Sequence, residues 1–446
     1  MSVGMSAGAR RLAIVDPALA DLRGHHVNTA LDLTDAARAL GFAVVWLTHA
    51  DLPRELVPPG VTSFGVFGHT TYDPPAGKRR RKLKHLPGNV LRWLRERRSA
   101  GRRRRRLRQE LRRGLELARL GPADHVLVHT ATVPLAEAVE CVYGRSGGRA
   151  LPLLHMRNCY EPDTMPGGGG RHYWRVLARL RGSVAGGRVR LYHETDAGAA
   201  LDAATSGAEV GVWPNALPGR LLAALDRHAA ARSDERLVIG FFGDGRAEKG
   251  FYRLPDLVEG LQACADRGRL PAPAWLVHCP RPLDADRRYH ESLQRLRRLP
   301  GQVTLVDHPL PVDDYYAAVL ACDLILLPYE QERYRTRGSM LVLEAFACGK
   351  PVVATAGTWL AGQIAQGAGI AAAPAELGEA LRRVLGSYAT FATAAREHAV
   401  LVRRQRDPVT ILRRLVAADP VCPEPEPEPL ASPQDAAMLT GGRQRR

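Results

Sequence analysis

The apolar positions of this 446-residue chain fall into short, nearly unbroken runs separated by stretches of helical spacing. Residues 12–15, 42–47, 125–129, 151–155 and 190–193 form such runs and predict strands buried on both faces. Residues 26–40 have helical spacing, with Gly41 just past the end as a stop signal. The alternation resumes at 237–242, 274–278, 303–306, 324–327 and 352–355, with helices such as 313–321 and 341–348 between. Strands alternating with helices predict parallel sheets covered on both faces. The chain is long enough for two such domains with their own cores. The expected fold class is therefore α/β with two Rossmann-like domains: residues 1–213, ending at the turn Trp213-Pro214-Asn215, and residues 214–407. Two consecutive open α/β domains place the active site in an interdomain cleft, outside the carboxyl ends of the strands. Asp407 before Pro408 predicts a capped last helix, 408–418. The Pro-Glu repeats that follow cannot build a core, so 419–446 is expected to be a disordered tail. Four glycines at 167–170 predict a mobile loop.

Composition leaves an ordinary soluble class, with 45% apolar and 24% charged residues. No apolar run reaches eighteen residues, so no transmembrane helix is expected. The start of the chain lacks an apolar signal-peptide core. Seven cysteines without a Cys-x-x-Cys pair argue against a disulfide framework or a zinc site and fit a reducing cytoplasm. Charge is more informative. Between Lys78 and Arg113 (residues 78–113), eighteen Lys/Arg stand against Glu96 and Glu110, so this segment holds sixteen of the seventeen net positive charges. Lysine is scarce, with five against 58 arginines. Outside the basic segment only Lys249 and Lys350 remain.

Both of those lysines lie inside glycine-punctuated motifs, each of which contains a turn that suits a phosphate ligand. Gly243-Asp244-Gly245-Arg246-Ala247-Glu248-Lys249-Gly250 follows a strand, and Arg246 and Lys249, three apart, share a face on a first helical turn. Together they can grip a diphosphate through charge-assisted hydrogen bonds. Further on, Gly338-Ser339 opens a helix through Met340 and Leu341, whose free N–H groups and dipole favour an anion. Glu344 within that helix is placed to hold a sugar hydroxyl. Asp284-Ala285-Asp286 reads as a helix start rather than a metal site.

Together the two motifs, Gly-x-Gly-Arg-x-Glu-Lys-Gly and Gly-Ser-x-x-x-x-Glu-Ala-x-Ala-x-Gly-Lys-Pro-Val-Val-Ala-Thr, resemble family 4 (group 1) glycosyltransferases, which have the GT-B architecture. The resemblance is dense from about residue 237 to 361 and diffuse before that. It implies a retaining, metal-independent transfer of a sugar from a nucleotide-diphosphate sugar, with no further cofactor. By position, Arg246 and Lys249 match the residues that bind the donor diphosphate and stabilise the leaving charge. Glu344 matches the ribose acid, and the backbone around Gly338, Ser339, Met340 and Leu341 the phosphate-facing amides. Gly243 matches the glycine turn of the donor site, and His308 to Leu310 the turn that meets the nucleobase. In the N-terminal domain, His129 resembles the histidine that reaches the donor sugar, and Gly24 the glycine loop near the diphosphate. His25, His26, His155 and Arg157 are candidates for the acceptor side. The family's Glu-x7-Glu is incomplete, because Thr336 stands where the first acid, a donor-sugar contact, is expected.

Residues 78–113 interleave Val90, Leu91, Trp93 and Leu94 with cations, which suits a helix on an anionic membrane surface. A solvated loop or nonspecific nucleic-acid binding are the competing readings, the last least favoured. The expected partners are a nucleotide sugar, a glycan or lipid-linked acceptor, and the inner membrane face. A sugar-nucleotide epimerase or hydrolase on the same fold, or a nucleotide-binding scaffold without turnover, remain alternatives.

Overall fold

The computed structural model of the protein describes residues 10–21, 26–70, 88–144, 150–160, 169–227, 236–268, 270–282, 285–299 and 303–417. Two all-parallel sheets organise it. The first contains β1 (Arg11–Asp16), β2 (Ala43–His49), β3 (Thr62–Phe67), β4 (His125–Val128), β5 (Leu153–Asn158), β6 (Val189–His193) and β7 (Val210–Val212). Their order is β3-β2-β1-β4-β5-β6-β7. The second contains β8 (Val238–Phe242), β9 (Ala274–His278), β10 (Val303–Val306), β11 (Leu324–Leu327), β12 (Val352–Thr355) and β13 (Gly369–Ala372), in the order β10-β9-β8-β11-β12-β13. In each sheet the strand order thus reverses once, between β1 and β4 and between β8 and β11, while all strands stay parallel. A reversal of this kind opens a crevice outside the carboxyl ends of the strands.

The central strands are buried along their whole length, as in β4, β11 and β12. That explains their apolar runs, since helices cover both faces. The edge strands β3, β7 and β13 were not among the expected strands. Each has only one neighbour, and their half-exposed sequences mix apolar with small or polar residues.

On one face of the first sheet lie the helices Val133–Tyr143 and Gly170–Ala185 and part of Gly88–Leu117. On the other face, His26–Ala39 packs with Ile411, Leu412 and Leu415 of the last helix, Pro408–Val416. Asp407 caps that helix, its Oδ2 accepting from the Thr410 N–H at 2.7 Å. The chain therefore returns to its N-terminal domain, where Arg190 donates to the carbonyls of Leu415 and Ala417. Asp286 caps Arg287–Arg297 by accepting from the Tyr289 N–H at 3.0 Å. Gly170 starts a helix, with Gly169 ahead of it at φ +74°. The rest of the glycine loop, Asp284 and the tail 419–446 lie outside the described residues.

The side chains of Val90, Leu91, Trp93 and Leu94, on which the membrane-surface reading of the basic segment rests, lie outside the described residues. Residues 78–87 are outside the described residues, and the helix Gly88–Leu117 follows. In its second half, Leu107, Leu111 and Leu115 repeat every four residues and are buried in the protein's own core. Arg102, Arg105, Arg112 and Arg113 point outward, while Arg104 pairs with Glu137 at 2.9 Å. The apolar stripe there is used internally, leaving an outward ridge of cations rather than an amphipathic face. Among the described residues, no helix is long and apolar enough to cross a membrane.

Candidate functional site

The carboxyl ends of the two sheets face each other across a cleft of about 800 Å³, within the usual range for small-molecule sites. On the C-terminal wall, β8 ends at Phe242 and a single 3-10 turn, Ala247–Lys249, follows. Gly250 closes that turn at φ +76°, and a Cβ there would lie 2.1 Å from the Pro328 carbonyl oxygen, so only glycine fits. Arg246 and Lys249 both line the cleft. Arg246 is held by Asp244 at 3.2 Å and Glu248 at 2.9 Å, so a diphosphate must compete with two carboxylates for it. Lys249 lies alongside Gly243, with Nζ 5.9 Å from the Tyr329 ring centroid. Burial, reinforced by the Arg246 charge, brings its ammonium down to about 8. Removing a cation from water makes its charged form costly, and an arriving anion relieves that cost.

The helix Met340–Ala347 begins at the same wall. Ser339 precedes it with extended geometry and makes no side-chain cap, so the first-turn N–H groups are left for a ligand. Glu344 is 5% exposed, and its Oε2 accepts from the Tyr315 hydroxyl at 2.9 Å. Burial raises its carboxyl to about 7, against the Tyr315 hydrogen bond and the Lys249 charge. Lys350, by contrast, ties the fold together by donating to the Leu320 carbonyl at 2.8 Å.

The N-terminal wall is built from single residues at successive strand ends. Asp16 ends β1, and its Oδ2 lies 2.6 Å from His26 Nδ1 and 3.1 Å from His129 Nε2. The Thr130 hydroxyl meets His129 Nδ1 at 2.9 Å. Burial opposes charge on Asp16, yet hydrogen bonds from His129 and His26 outweigh it and hold the carboxyl below its ordinary range. Burial lowers His129, with Asp16 acting in the other direction. The result is an ionised carboxylate that orients a buried imidazole. Arg157 bonds the His129 carbonyl through Nε at 2.9 Å and Asn215 through Nη1 at 2.9 Å, with its guanidinium over Trp213. Glu194 follows β6 and reaches across to the C-terminal domain. Its Oε1 accepts from the Gly338 N–H at 2.7 Å and its Oε2 from Asn215 at 3.1 Å. The Thr195 hydroxyl donates to the Thr336 carbonyl, fastening the same loop.

His129, Arg157, Gly243, Arg246, Lys249, Gly338, Ser339, Met340, Leu341 and Glu344 therefore surround one cleft. His26 is buried against Asp16 and is not part of the cleft lining. His155 departs from its expected place. It sits two residues inside β5, fully buried, bonded to His125 at 3.1 Å and stacked on Tyr192. His308 and Leu310 do not line the cleft either; the His308 carbonyl meets His278, which does. Gly24 and His25 lie outside the described residues. Asp16, Glu194, Asn215, Tyr315 and Arg337 went unrecognised in the sequence. For Asp16 and Glu194 a signal was available, since each is an acid at the end of an apolar strand.

Residues 236–387, the bulk of the second domain, match the family model described as glycosyl transferases group 1. No curated protein matches the chain. Among solved structures, the UDP-forming trehalose-phosphate synthase of Burkholderia xenovorans is similar at a TM-score of 0.64 and 14% identity, covering 92% of this chain and 100% of that one. The sucrose-phosphate synthase of Thermosynechococcus elongatus gives 0.60 and 15%, with 92% and 100% covered. Anabaena HepE in complex with UDP gives 0.56 and 16%, with 91% and 98% covered. These likenesses, with the paired switch-point sheets, show the GT-B fold.

Proposed function

We propose that the protein is a glycosyltransferase that moves a sugar from a nucleotide-diphosphate sugar to a glycan or lipid-linked glycan, with retention and without a metal. The observation that carries this reading is the convergence of Arg246, Lys249 and the N-terminus of Met340–Ala347 on the cleft that also holds Glu344. Transfer requires charge to be stabilised as it grows on the departing diphosphate. Two cations and a row of backbone N–H groups, partly shielded from water, do that without a metal. Glu344 takes the ribose hydroxyls, and the turn beside His278 borders the base. Uridine is the favoured base, because HepE was solved with UDP and a trehalose-phosphate synthase is UDP-forming. His129 borders the sugar with its ring edge, its two nitrogens turned to Asp16 and Thr130, and the acceptor enters along the N-terminal wall past Arg157. Asp16, His26 and His129 bring three possible ligand atoms within 4.8 Å, but the carboxylate–imidazole distances are those of hydrogen bonds.

A membrane-bound acceptor is supported by the outward arginines of Gly88–Leu117, which would attract anionic lipid at the inner membrane face. A role in cell-surface polysaccharide synthesis follows from such an acceptor. The test is incubation with UDP-sugars and lipid or oligosaccharide acceptors in the presence of EDTA. Release of UDP with a product of unchanged anomeric configuration is expected. An inverted product, or turnover that EDTA abolishes, would overturn the corresponding part of the mechanism.

A further inference from the structure

The N-terminal wall contains an anion in a cleft whose other wall is built for anions. Glu194 is 7% exposed and lines the cleft from the end of β6. Its carboxylate rests on a backbone N–H of the opposite domain, that of Gly338. A Cβ at 338 would lie 3.1 Å from Glu194 Cδ and Oε1 and 3.4 Å from Asn215 Nδ2, so the missing side chain makes room for this approach. Asn215 and Arg157 complete a chain of polar groups around it, and Arg337 lines the same part of the cleft.

A carboxylate repels phosphate, so the portion of a ligand that meets Glu194 must be uncharged. Around it, acceptor and donors alternate: the Glu194 oxygens, the Gly338 N–H, the Asn215 amide and the Arg157 guanidinium. A hydroxyl both donates and accepts, and a ring carrying several neighbouring hydroxyls matches such a set. The loop that provides Gly338 has Thr336 at its start and no acid of its own between residues 335 and 339. Its shape is held by Thr195, the neighbour of Glu194.

We propose that Glu194 supplies, from the N-terminal domain, the carboxylate that holds the hydroxyls of the donor sugar. The inference rests on the reading of the cleft as a nucleotide-sugar site. In this structure the carboxylate rests on the Gly338 N–H. When a donor enters, a sugar hydroxyl donates to Glu194 while the freed N–H and the Asn215 amide donate to sugar oxygens. Recognition of the sugar then spans both domains, so the two walls approach productively only around a complete donor.

The test separates sugar from nucleotide. Affinities of UDP, UDP-glucose, UDP-galactose and UDP-N-acetylglucosamine are measured by calorimetry for the full chain and for Glu194→Gln, with Thr195→Val as a control that cuts the neighbouring tie. Glu194→Gln keeps an acceptor for Gly338 but removes the charge. It is expected to weaken the tightest UDP-sugar by about tenfold or more, the scale of a charged hydrogen bond, and to leave UDP within about twofold. Thr195→Val is expected to lower both alike or neither. Equal loss for UDP and UDP-sugar in Glu194→Gln, or the same selective loss in Thr195→Val, would assign Glu194 to domain packing and overturn the proposal. Wild-type protein that binds UDP but gains nothing from an attached sugar would also overturn it. Wild-type protein that binds no UDP compound would instead overturn the reading of the cleft on which it rests.

Discussion

The two walls of the cleft are made in different ways. On the C-terminal wall the cleft-lining groups proposed to face phosphate come from two continuous segments, residues 243–250 and 338–344, each a turn leading into helical structure. On the N-terminal wall strand ends contribute single side chains: His129, Arg157 and Glu194 line the cleft, with Asp16 buried behind His129. The contrast fits the proposed ligand, a nucleotide sugar. Phosphates are met by backbone N–H groups and nearby cations, which need local geometry and glycines at fixed places. Sugar hydroxyls are met by separate side chains, which can come from any strand end that reaches them.

The largest effect is expected at Glu344. Its carboxyl is displaced from 4.5 to about 7 by burial, which at about 1.4 kcal/mol per pH unit is roughly 3 kcal/mol. Because the displacement is upward, the folded state disfavours ionisation, and the penalty grows as pH rises from 4.5 to about 7. Glu344→Gln should therefore stabilise the empty protein by up to about 3 kcal/mol at pH 8, while nucleotide binding weakens. At pH 4 it should give no such gain. Chemical denaturation at the two pH values checks this, and a gain equal at both would remove the buried carboxylate from the account.

Lys249→Ala comes next. Loss of one charged hydrogen bond to the diphosphate predicts a fall of about 2–3 kcal/mol in kcat/KM, around a hundredfold. In the wild type, kcat/KM should decline as pH rises through about 8, where the free ammonium loses its proton. A flat profile between pH 7 and 9 would break the link between this lysine and the phosphates.

Asp16→Asn probes the opposite wall. The carboxylate that orients His129 is replaced, so a loss of about 1 kcal/mol is expected in kcat/KM, with UDP binding unchanged. If UDP binding falls equally, the two walls are not divided between phosphate and sugar. Smallest is the arginine ridge. Each of Arg102, Arg105, Arg112 and Arg113 changed to Gln should cost about 1 kcal/mol of binding to vesicles containing phosphatidylserine, without lowering the melting temperature. Unchanged flotation with all four replaced would detach the ridge from any membrane role.

The same contrast explains what was legible in the sequence. The place of the C-terminal wall was readable because Gly250 and Gly338, beside Lys249 and Ser339, occupy positions where local geometry leaves few choices. Strands buried on both faces, such as Leu324–Leu327, announced themselves as apolar runs. Glu194 and Asp16 carried only the weak signal of an acid at the end of an apolar strand, and their partners in space are distant in sequence. His155 shows the converse error: a histidine near a strand end looked like a ligand, but two residues of depth put it among His125 and Tyr192. The return of Pro408–Val416 to the first sheet was likewise invisible, because a helix records its apolar stripe and not the surface that receives it.

The central claim is that Arg246, Lys249 and the start of Met340–Ala347 hold a nucleoside diphosphate. Thermal unfolding of the wild type and of Lys249→Ala, with and without UDP, tests it most directly. A ligand at about a hundred times its Kd stabilises the folded state by about 2.7 kcal/mol. The account predicts a rise in melting temperature with UDP for the wild type that is largely lost in Lys249→Ala. An equal rise in both proteins would contradict it.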